Sequence, residues 1–337
     1  MRPNGVVDMT HGGGGRAMAQ LIEGLFLKHF DNALLRQGND CALFRVAGER
    51  MVMSTDSHVI SPLFFPGGDI GCLAVNGTVN DVAMSGARVL YLAAAFILEE
   101  GFPLADLERI VISMGRAATQ AGVQIVCGDT KVVERGKGDG VFITTTGVGV
   151  VAEGVNISGN RARPGDVILL SGTVGDHGVA VLSRRENLQF ETTIESDSAA
   201  LNGLVADMVH AVPNIHCLRD PTRGGLATTL NELAHQSQVG MQIKESAIPV
   251  RPEVNAACEL LGLDPLYIAN EGKLVVICAP VDAENLLSAM RNHPLGADAA
   301  IIGQAIADDH RLVQMDTRFG GQRVVDGLVG EQLPRIC

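Results

Sequence analysis

Five aspartates stand where a plain solvated surface has little use for them. Asp40 lies in "GNDCAL", Asp56 in "STDS", Asp81 in "VNDVAMSGA", Asp129 in "CGDT" and Asp220 in "LRDPTRGG". Each follows an apolar stretch or sits among small residues. Taken singly, an aspartate in such a place caps a helix or closes a turn. Gathered on one site, carboxylates repel unless a hard cation joins them, and Mg2+ carrying nucleotide phosphates is the usual solution. Only the set points to that chemistry.

Other residues fit around such a centre. The run "HGGGG", with Gly12, Gly13, Gly14 and Gly15, offers backbone amides to an anion without Cβ obstruction. It lacks the Gly-Lys-Ser/Thr ending of a P-loop and has no strand before it, so a flexible linker is the competing reading. Thr222-Arg223-Gly224-Gly225 precedes the helical pattern "LATTLNELA", and a helix start with glycines and an arginine suits an anion. An ordinary capped helix suits it equally. Lys131 in "GDTKVV" and Glu271 in "NEGKLVV" sit where a packed strand prefers apolar residues. Beside a nucleotide they would stabilise phosphate charge and move protons, and elsewhere each would make a structural salt bridge. The chain ends "LPRIC", which places the thiol of Cys337 beside its own carboxylate. A second negative charge disfavours a thiolate, so any reactivity there must come from the sites the cysteine visits.

The elements that must position these residues alternate between strand and helix, the pattern of an α/β or α+β protein. "RMVMSTDS" (50–57) reads as a strand ending at an acidic loop. "IGCLAVNGTVNDVAMSGA" (70–87) reads as a small-residue helix and "VLYLAAAFIL" (89–98) as the next strand. Residues 103–122 form the clearest helix, with Pro103 at its start, apolar residues at three-to-four spacing and Gly122 as its cap. "VQIVCGD" and the β-branched "GVFITTTGVGVV" read as strands. A polar turn region near 156–166 separates a second alternating series, which closes near 299–308. The expected division is 1–155, 156–318 and a tail, 319–337, without periodicity.

Composition narrows the function. The chain of 337 residues is long enough for two cores, and 46% hydrophobic content with 19% charged residues describes a globular protein. The net charge of −12 argues against a nucleic-acid partner, since the sequence offers no basic stripe to neutralise phosphates. The run at 89–98 is too short to cross a bilayer, and the start lacks an apolar core of signal-peptide length. Seven scattered cysteines without CxxC pairs fit neither a disulfide framework nor a zinc ribbon, so a reducing cytoplasm is the expected setting.

Read together and in order, "STDSHVISPLFFPGGDIG", "NDVAMSGA", "FILEEG", "GDTKVVERG", "SGTVGDHG", "RDPTRGG", "PLYIANEGKLV" and the terminal "PRIC" closely resemble the HypE family of hydrogenase maturation factors. The resemblance spans essentially the whole chain. That family is similar to aminoimidazole ribotide synthetase and selenophosphate synthetase, which share a two-domain α/β fold. It implies a homodimer that pairs its N-terminal sheets, with ATP near the domain and subunit junction. It implies that a carbamoyltransferase loads a carboxamide onto the terminal cysteine. The protein then dehydrates it with ATP to a thiocyanate, and an iron-carrying maturation scaffold complex receives the cyanide ligand for the nickel–iron site.

On this resemblance Asp40, Asp56, Asp81 and Asp220 hold Mg2+ and ATP, with Asp129 nearby. The glycines at 12–15 close over phosphates, with Thr222 and Arg223 at the same anion. Cys337 carries the substrate, Lys131 steadies the phosphorylated oxygen and Glu271 accepts the proton, although Lys131 is the other candidate for that last role. Two departures stand out. The first glycine loop lacks the polar residue usual in the family, and Asn39-Asp40 replaces a doubled aspartate. A selenophosphate synthetase would want a reactive cysteine near the glycine loop, and the first cysteine here is Cys41. A pure carrier would load and unload Cys337 without needing Lys131 or Glu271.

Overall fold

The computed structural model describes residues 7–13, 15–30, 32–188, 194–328 and 333–337. After α1 (Arg16–Leu21), a π-helical stretch (Ile22–Leu27) and α2 (Lys28–Phe30) come β1 (Ala42–Val46), β2 (Glu49–His58) and the short hairpin β3 (Phe64–Phe65) and β4 (Gly68–Asp69). Then follow α3 (Ile70–Ala83), β5 (Arg88–Glu99), α4 (Leu104–Ala121), β6 (Gln124–Val133) and β7 (Val141–Val150). Five strands form one sheet in the order β1-β2-β7-β5-β6, antiparallel except for the β5–β6 pair that α4 bridges.

Local chemistry explains these elements. Asp69 caps α3 by accepting from the amides of Gly71 (2.7 Å) and Cys72 (3.1 Å). Helix α3 is buried on nearly every side, so its small residues are a packing requirement. It presses so closely on β7 that a Cβ on Gly149 would stand 2.7 Å from a methyl of Val82. Helix α4 buries Ile110, Met114, Ala117, Ala118 and Ala121, and Gly122 ends it in the left-handed conformation at φ +68°. Strand β7 alternates strictly between buried and half-buried residues.

That alternation decides which side chains can meet. Val52, Ser54 and His58 on β2 are buried, so they and Asp56 share the α3 face. Thr55 and Ser57 pair with Thr146 and Thr144 on the opposite face, each hydroxyl pair 2.9 Å apart. Ala95 is opposite Thr144 on one side and Asp129 on the other, and Ile97 is opposite Lys131. Asp129 and Lys131 therefore lie on the open face, away from Asp56.

The second domain contains β8 (Val167–Leu170), α5 (Asp176–Arg185), α6 (Asn202–Ala211), β9 (Cys217–Arg219), α7 (Gly225–Ser237), β10 (Gly240–Lys244), α8 (Pro252–Leu261), β11 (Val275–Cys278), α9 (Ala283–Asn292), β12 (Ala300–Ile306), β13 (Val313–Asp316) and β14 (Gln322–Val324). Seven strands make its sheet, in the order β14-β13-β10-β12-β8-β11-β9. One apolar cluster runs through both domains, joining Val79 and Ala83 of α3 to Leu201, Leu204 and Met208 around α6.

Two expectations change here. The second series does not close at 308, because β13 and β14 extend the sheet. The segment 319–337 is not wholly a tail either: Gln322–Val324 pairs with β13, and Val325 is fully buried. At its far end Ile336 is only 4% exposed. Among the described residues, no helix is long and apolar enough to cross a membrane.

Candidate active site

Four carboxylates from four elements lie within electrostatic range of one another at the junction of the domains. Asp40 enters from the turn before β1, Asp56 from β2, Asp81 from the last turn of α3 and Asp220 from the end of β9. Asp40 Oδ2 lies 2.9 Å from Arg219 Nε, and Arg219 also donates to Glu232 at 2.8 Å. Asp81 accepts from the Ser54 hydroxyl at 2.7 Å. Asp56 stands 3.5 Å from the Nε2 of buried His58.

Their electrostatics mark the set as one centre. Burial, and then the charges of Asp220, Asp40 and Asp56, push the Asp81 carboxyl well above the usual range. Burial and the neighbouring Asp40 push Asp220 up to about 8. Burial also raises Asp40, against the pull of Arg219. Glu271 is 4% exposed, and one of its carboxyl oxygens has no hydrogen-bond partner. Burial first, then Asp220, Asp197 and Asp56, drive it well above the normal carboxyl range. Its backbone is fixed from both sides: its N–H donates to Asp197 at 3.0 Å and its carbonyl accepts from Asn80 of α3 at 3.2 Å.

The tail ends at this cluster. The charge at Cys337 is the largest influence raising Arg223, ahead of Asp56 and Glu271. Arg223 also donates to the carbonyl of Gly12 at 3.0 Å, which ties the glycine loop to the same corner. Thr222 accepts at its carbonyl from Gly225 N–H at 2.9 Å and so closes the turn into α7. Gly224 and Gly225 have φ of +77° and +60°, which explains the glycine pair before that helix. Gly13 is buried, Gly15 is the residue before α1, and Gly14 lies outside the described residues.

The structure does not bring Asp129 and Lys131 to this cluster within one chain. They sit on the exposed edge strand β6, 62% and 71% exposed at their side chains, and pair with each other at 2.8 Å. The Lys131 hydrogen bond holds the Asp129 carboxyl below its ordinary value. The expectation that Lys131 and Glu271 flank one nucleotide is therefore not met by residues of a single subunit.

Arg219, His177 and Asp197 were not singled out from the sequence. Arg219 is the residue before Asp220, and a cation beside a strand-end aspartate was the available signal. His177 lies in "SGTVGDHG" and is fully buried, with its Nε2 2.8 Å from the carbonyl of Ile336. Cys41 is 6% exposed with its thiol pushed up to about 12 by burial, which does not suit a nucleophile.

Do these residues fit Mg2+? Among the described residues no group of three or more stands ready-made to hold a metal ion. The donor chemistry fits nonetheless. Asp40, Asp56, Asp81, Asp220 and Glu271 meet only Arg219 and Arg223 as cations in the interactions described, and hard anionic oxygens in excess are what Mg2+ takes. A cavity of about 520 Å³ borders Asp40 and another of about 500 Å³ borders Arg219, so their ion pair is reachable from two sides.

The fold and this centre define a class. Residues 38–151 match the N-terminal domain of AIR synthase related proteins, and residues 163–316 match the C-terminal domain. The architecture is thus the two-domain α/β fold of that superfamily. Within it, the chain is 70% identical over 335 residues to the carbamoyl dehydratase HypE of Cupriavidus necator, covering 99% of this chain and 95% of that protein. A crystallised HypE–HypF complex matches with 52% identity and a TM-score of 0.87 over 91% of this chain and 99% of the other. A HypE in complex with ATP matches with 53% identity and a TM-score of 0.83 over 98% and 100%. The chain belongs to the HypE family, the carbamoyl dehydratases of hydrogenase maturation.

Proposed function

We propose that this enzyme dehydrates an S-carboxamide carried on its own Cys337 to an S-cyanate, with ATP as the activating reagent. The observation that carries the reading is the seat of the tail. The C-terminal residue, whose thiol a partner can load, lies close enough to Arg223 for its charge to be the first influence on that arginine, and Arg223 in turn interacts electrostatically with buried Glu271, whose proton affinity has been raised.

The reaction balances as follows. The amide oxygen attacks the γ-phosphorus, ADP leaves, and a C–O–P linkage replaces the P–O bond of ATP. Loss of the two N–H protons and cleavage of that C–O bond then release phosphate and leave C≡N on sulfur. Water is a poor leaving group and phosphate a good one, so phosphorylation is the step that makes elimination feasible. Catalysis here is positioning and charge stabilisation, as in other phosphoryl transfers.

The residues divide accordingly. Asp40, Asp56, Asp81 and Asp220 would hold Mg2+, which would neutralise phosphate charge. Arg223, Gly12, Gly13 and Gly15 would contact the same anion. Glu271 accepts an N–H proton, since a carboxylate with raised proton affinity is a better base near neutral pH. Lys131 and Asp129 reach this chemistry from a second copy. Strand β6 is an open sheet edge with Val126 and Val132 exposed, and Tyr91 and Ile97 expose the adjoining face. Pairing of such edges in a homodimer would cover them.

The solved complex of a similar HypE with HypF supports a carbamoyltransferase as the loading partner. An iron-carrying scaffold would take the product. The intact mass of the C-terminal peptide tests the whole scheme. The carbamoyltransferase, carbamoyl phosphate and ATP load Cys337. With a non-hydrolysable ATP analogue in the second stage the peptide keeps a gain of about 43 Da, and hydrolysable ATP supplied directly to the carbamoylated protein lowers it by about 18 Da. A carboxamide that persists with ATP reduces the protein to a carrier.

A further inference from the structure

Two backbone hydrogen bonds hold the end of the tail alongside residues 59–61. Val59 N–H donates to a terminal carboxylate oxygen of Cys337 at 3.1 Å, and Ser61 N–H donates to the Arg335 carbonyl at 3.2 Å. The residue numbers of the two pairs have equal sums, the signature of antiparallel pairing, with Ile60 opposite Ile336. Ile60 is fully buried and Ile336 nearly so, and both belong to one apolar cluster. An ordinary ladder would also satisfy the carbonyls of Val59 and Ser61 from tail amides. Arginine side chains reach both carbonyls here. Arg335 Nε donates to Val59 O at 2.9 Å, while Arg185 donates to Ser61 O at 2.8 and 2.6 Å and to Arg335 O at 2.8 Å.

The remaining carbonyl, that of Ile336, goes to His177. Ser198 N–H donates to Ser196 Oγ at 3.1 Å, and Ser196 Oγ lies 2.8 Å from His177 Nδ1. With Nε2–H donating to Ile336 at 2.8 Å, Nδ1 accepts from the serine hydroxyl, and every donor in the chain has an acceptor. Burial lowers the proton affinity of the ring, which keeps this neutral form. Phe65 packs edge-on against the ring, with centroids 5.5 Å apart. The charge of Asp197 acts on His177, and the same carboxylate accepts from Glu271 N–H and pairs with Lys273 at 3.1 Å. The histidine that touches the tail thus shares a neighbour with the candidate base.

We propose that His177 and Arg185, together with the main chain of Val59 and Ser61, form a receptor that reads the backbone of the last three residues and sets how far Cys337 reaches into the carboxylate cluster. His177 is a positioning residue, and the proposal rests on the reading of Cys337 as the substrate-bearing residue. It gives "PRIC" a physical sense. Arg335 returns a donor to the Val59 carbonyl, Ile336 is the anchor, and the backbone between them fixes the register of the sulfur.

Two substitutions separate a receptor from a packing role. His177→Phe keeps the ring and its contact with Phe65 but loses the donor. His177→Gln keeps an N–H donor the same number of bonds from Cα but loses the ring. The full-length chain is treated with iodoacetamide, alkylation of Cys337 is followed by the mass of the C-terminal peptide, and hydrogen exchange of the Val59 and Ser61 amides is measured alongside. Loss of one buried hydrogen bond to the tail should speed both by about tenfold in His177→Phe. His177→Gln should stay near wild type and keep its rate of ATP-driven mass loss from preloaded Cys337. If the two variants behave alike, or if the glutamine is the more exposed, the receptor is wrong. These docking readouts involve no dehydration. A wild-type tail that is protected yet never loses water would sink the proposed reaction and leave the receptor standing.

Discussion

The N-terminal sheet carries acidic residues on both of its faces, and the two faces treat the same chemistry differently. On the helix side Asp56 joins Asp81, Asp220 and Asp40 around a buried junction, where burial and mutual repulsion raise proton affinity. On the open side Asp129 is neutralised by Lys131 two residues away, with water around both, and its proton affinity falls. The first group has an electrostatic deficit that a cation would fill. The second is satisfied in the isolated chain and acquires a catalytic role only if another subunit faces it. Residue type alone does not make an active site; the dielectric and the neighbours do.

Removing the base from the buried side should have the largest effect. Glu271→Gln keeps the shape and the backbone bond to Asp197 but cannot take a proton. Carbamoylation of Cys337 should proceed at the wild-type rate, while the ATP-dependent mass loss slows by about 10²–10⁴-fold. An unchanged loss would return the protein to the carrier reading.

Lys131→Ala comes next, with a slowing of about 10²–10³-fold expected for loss of a charge-stabilising donor. The sharper test is complementation. Lys131→Ala and Glu271→Gln subunits, mixed and allowed to exchange, rebuild one intact site per mixed dimer if Lys131 crosses the interface. Native mass spectrometry counts the mixed dimers and single-turnover conversion counts working sites. No recovery would mean that both residues act from one chain, against the face assignment made from strand register.

These two residues also show how much could be read in advance. Helix α4 is legible from its periodicity, proline start and glycine cap, and strand β7 from its β-branched residues, because these signals act locally. The membership of Asp56, Asp81 and Asp220 in one centre was legible as a set of strand-end and helix acids. The face on which Asp129 and Lys131 lie was not, because a strand shows alternation but not which side its helices cover. Strand β14 escaped notice because three exposed residues carry no alternation and owe their shape to pairing with β13. The docked tail escaped for the same reason, since its partners at 59–61, 177 and 185 are far away in sequence. Arg219 shows a further limit: its partners Asp40 and Glu232 are set by packing, so nothing nearby in the chain announces that it is buried at 7% exposure.

Stability against pH separates the two faces without any turnover. Burial and the neighbouring Asp40 push the folded Asp220 carboxyl up to about 8, from an ordinary value of 3.8. A raised value means that the folded state binds the proton more tightly than the unfolded chain. Its contribution is therefore complete below about 4 and is lost as pH rises towards about 8. Metal-free protein should show a thermal midpoint that falls across this window, by less in Asp220→Asn. Mg2+ with ATP should raise the wild-type midpoint most at the alkaline end, where the carboxylates are ionised, and should raise that of the variant less. A slope unaltered by Asp220→Asn would mean that this carboxyl does not titrate in the window.

The smallest effect belongs to Asp129. Its proton affinity is lowered by Lys131, so its sign is opposite: whatever it contributes is present above its unfolded value and is lost only as pH falls below it. That lies outside the window in which Asp220 acts. The pair is also solvent-exposed, where water and salt screen the attraction and side-chain entropy offsets it. Asp129→Asn should leave the thermal midpoint of dilute, dissociated protein unchanged from pH 4 to pH 8. At concentrations where dimers form, a change that grows with protein concentration would place Asp129 at the subunit contact, because stability drawn from assembly obeys mass action. A change of equal size at every concentration would instead show that Asp129 is coupled to the fold of its own chain, and would remove the contrast between the two faces.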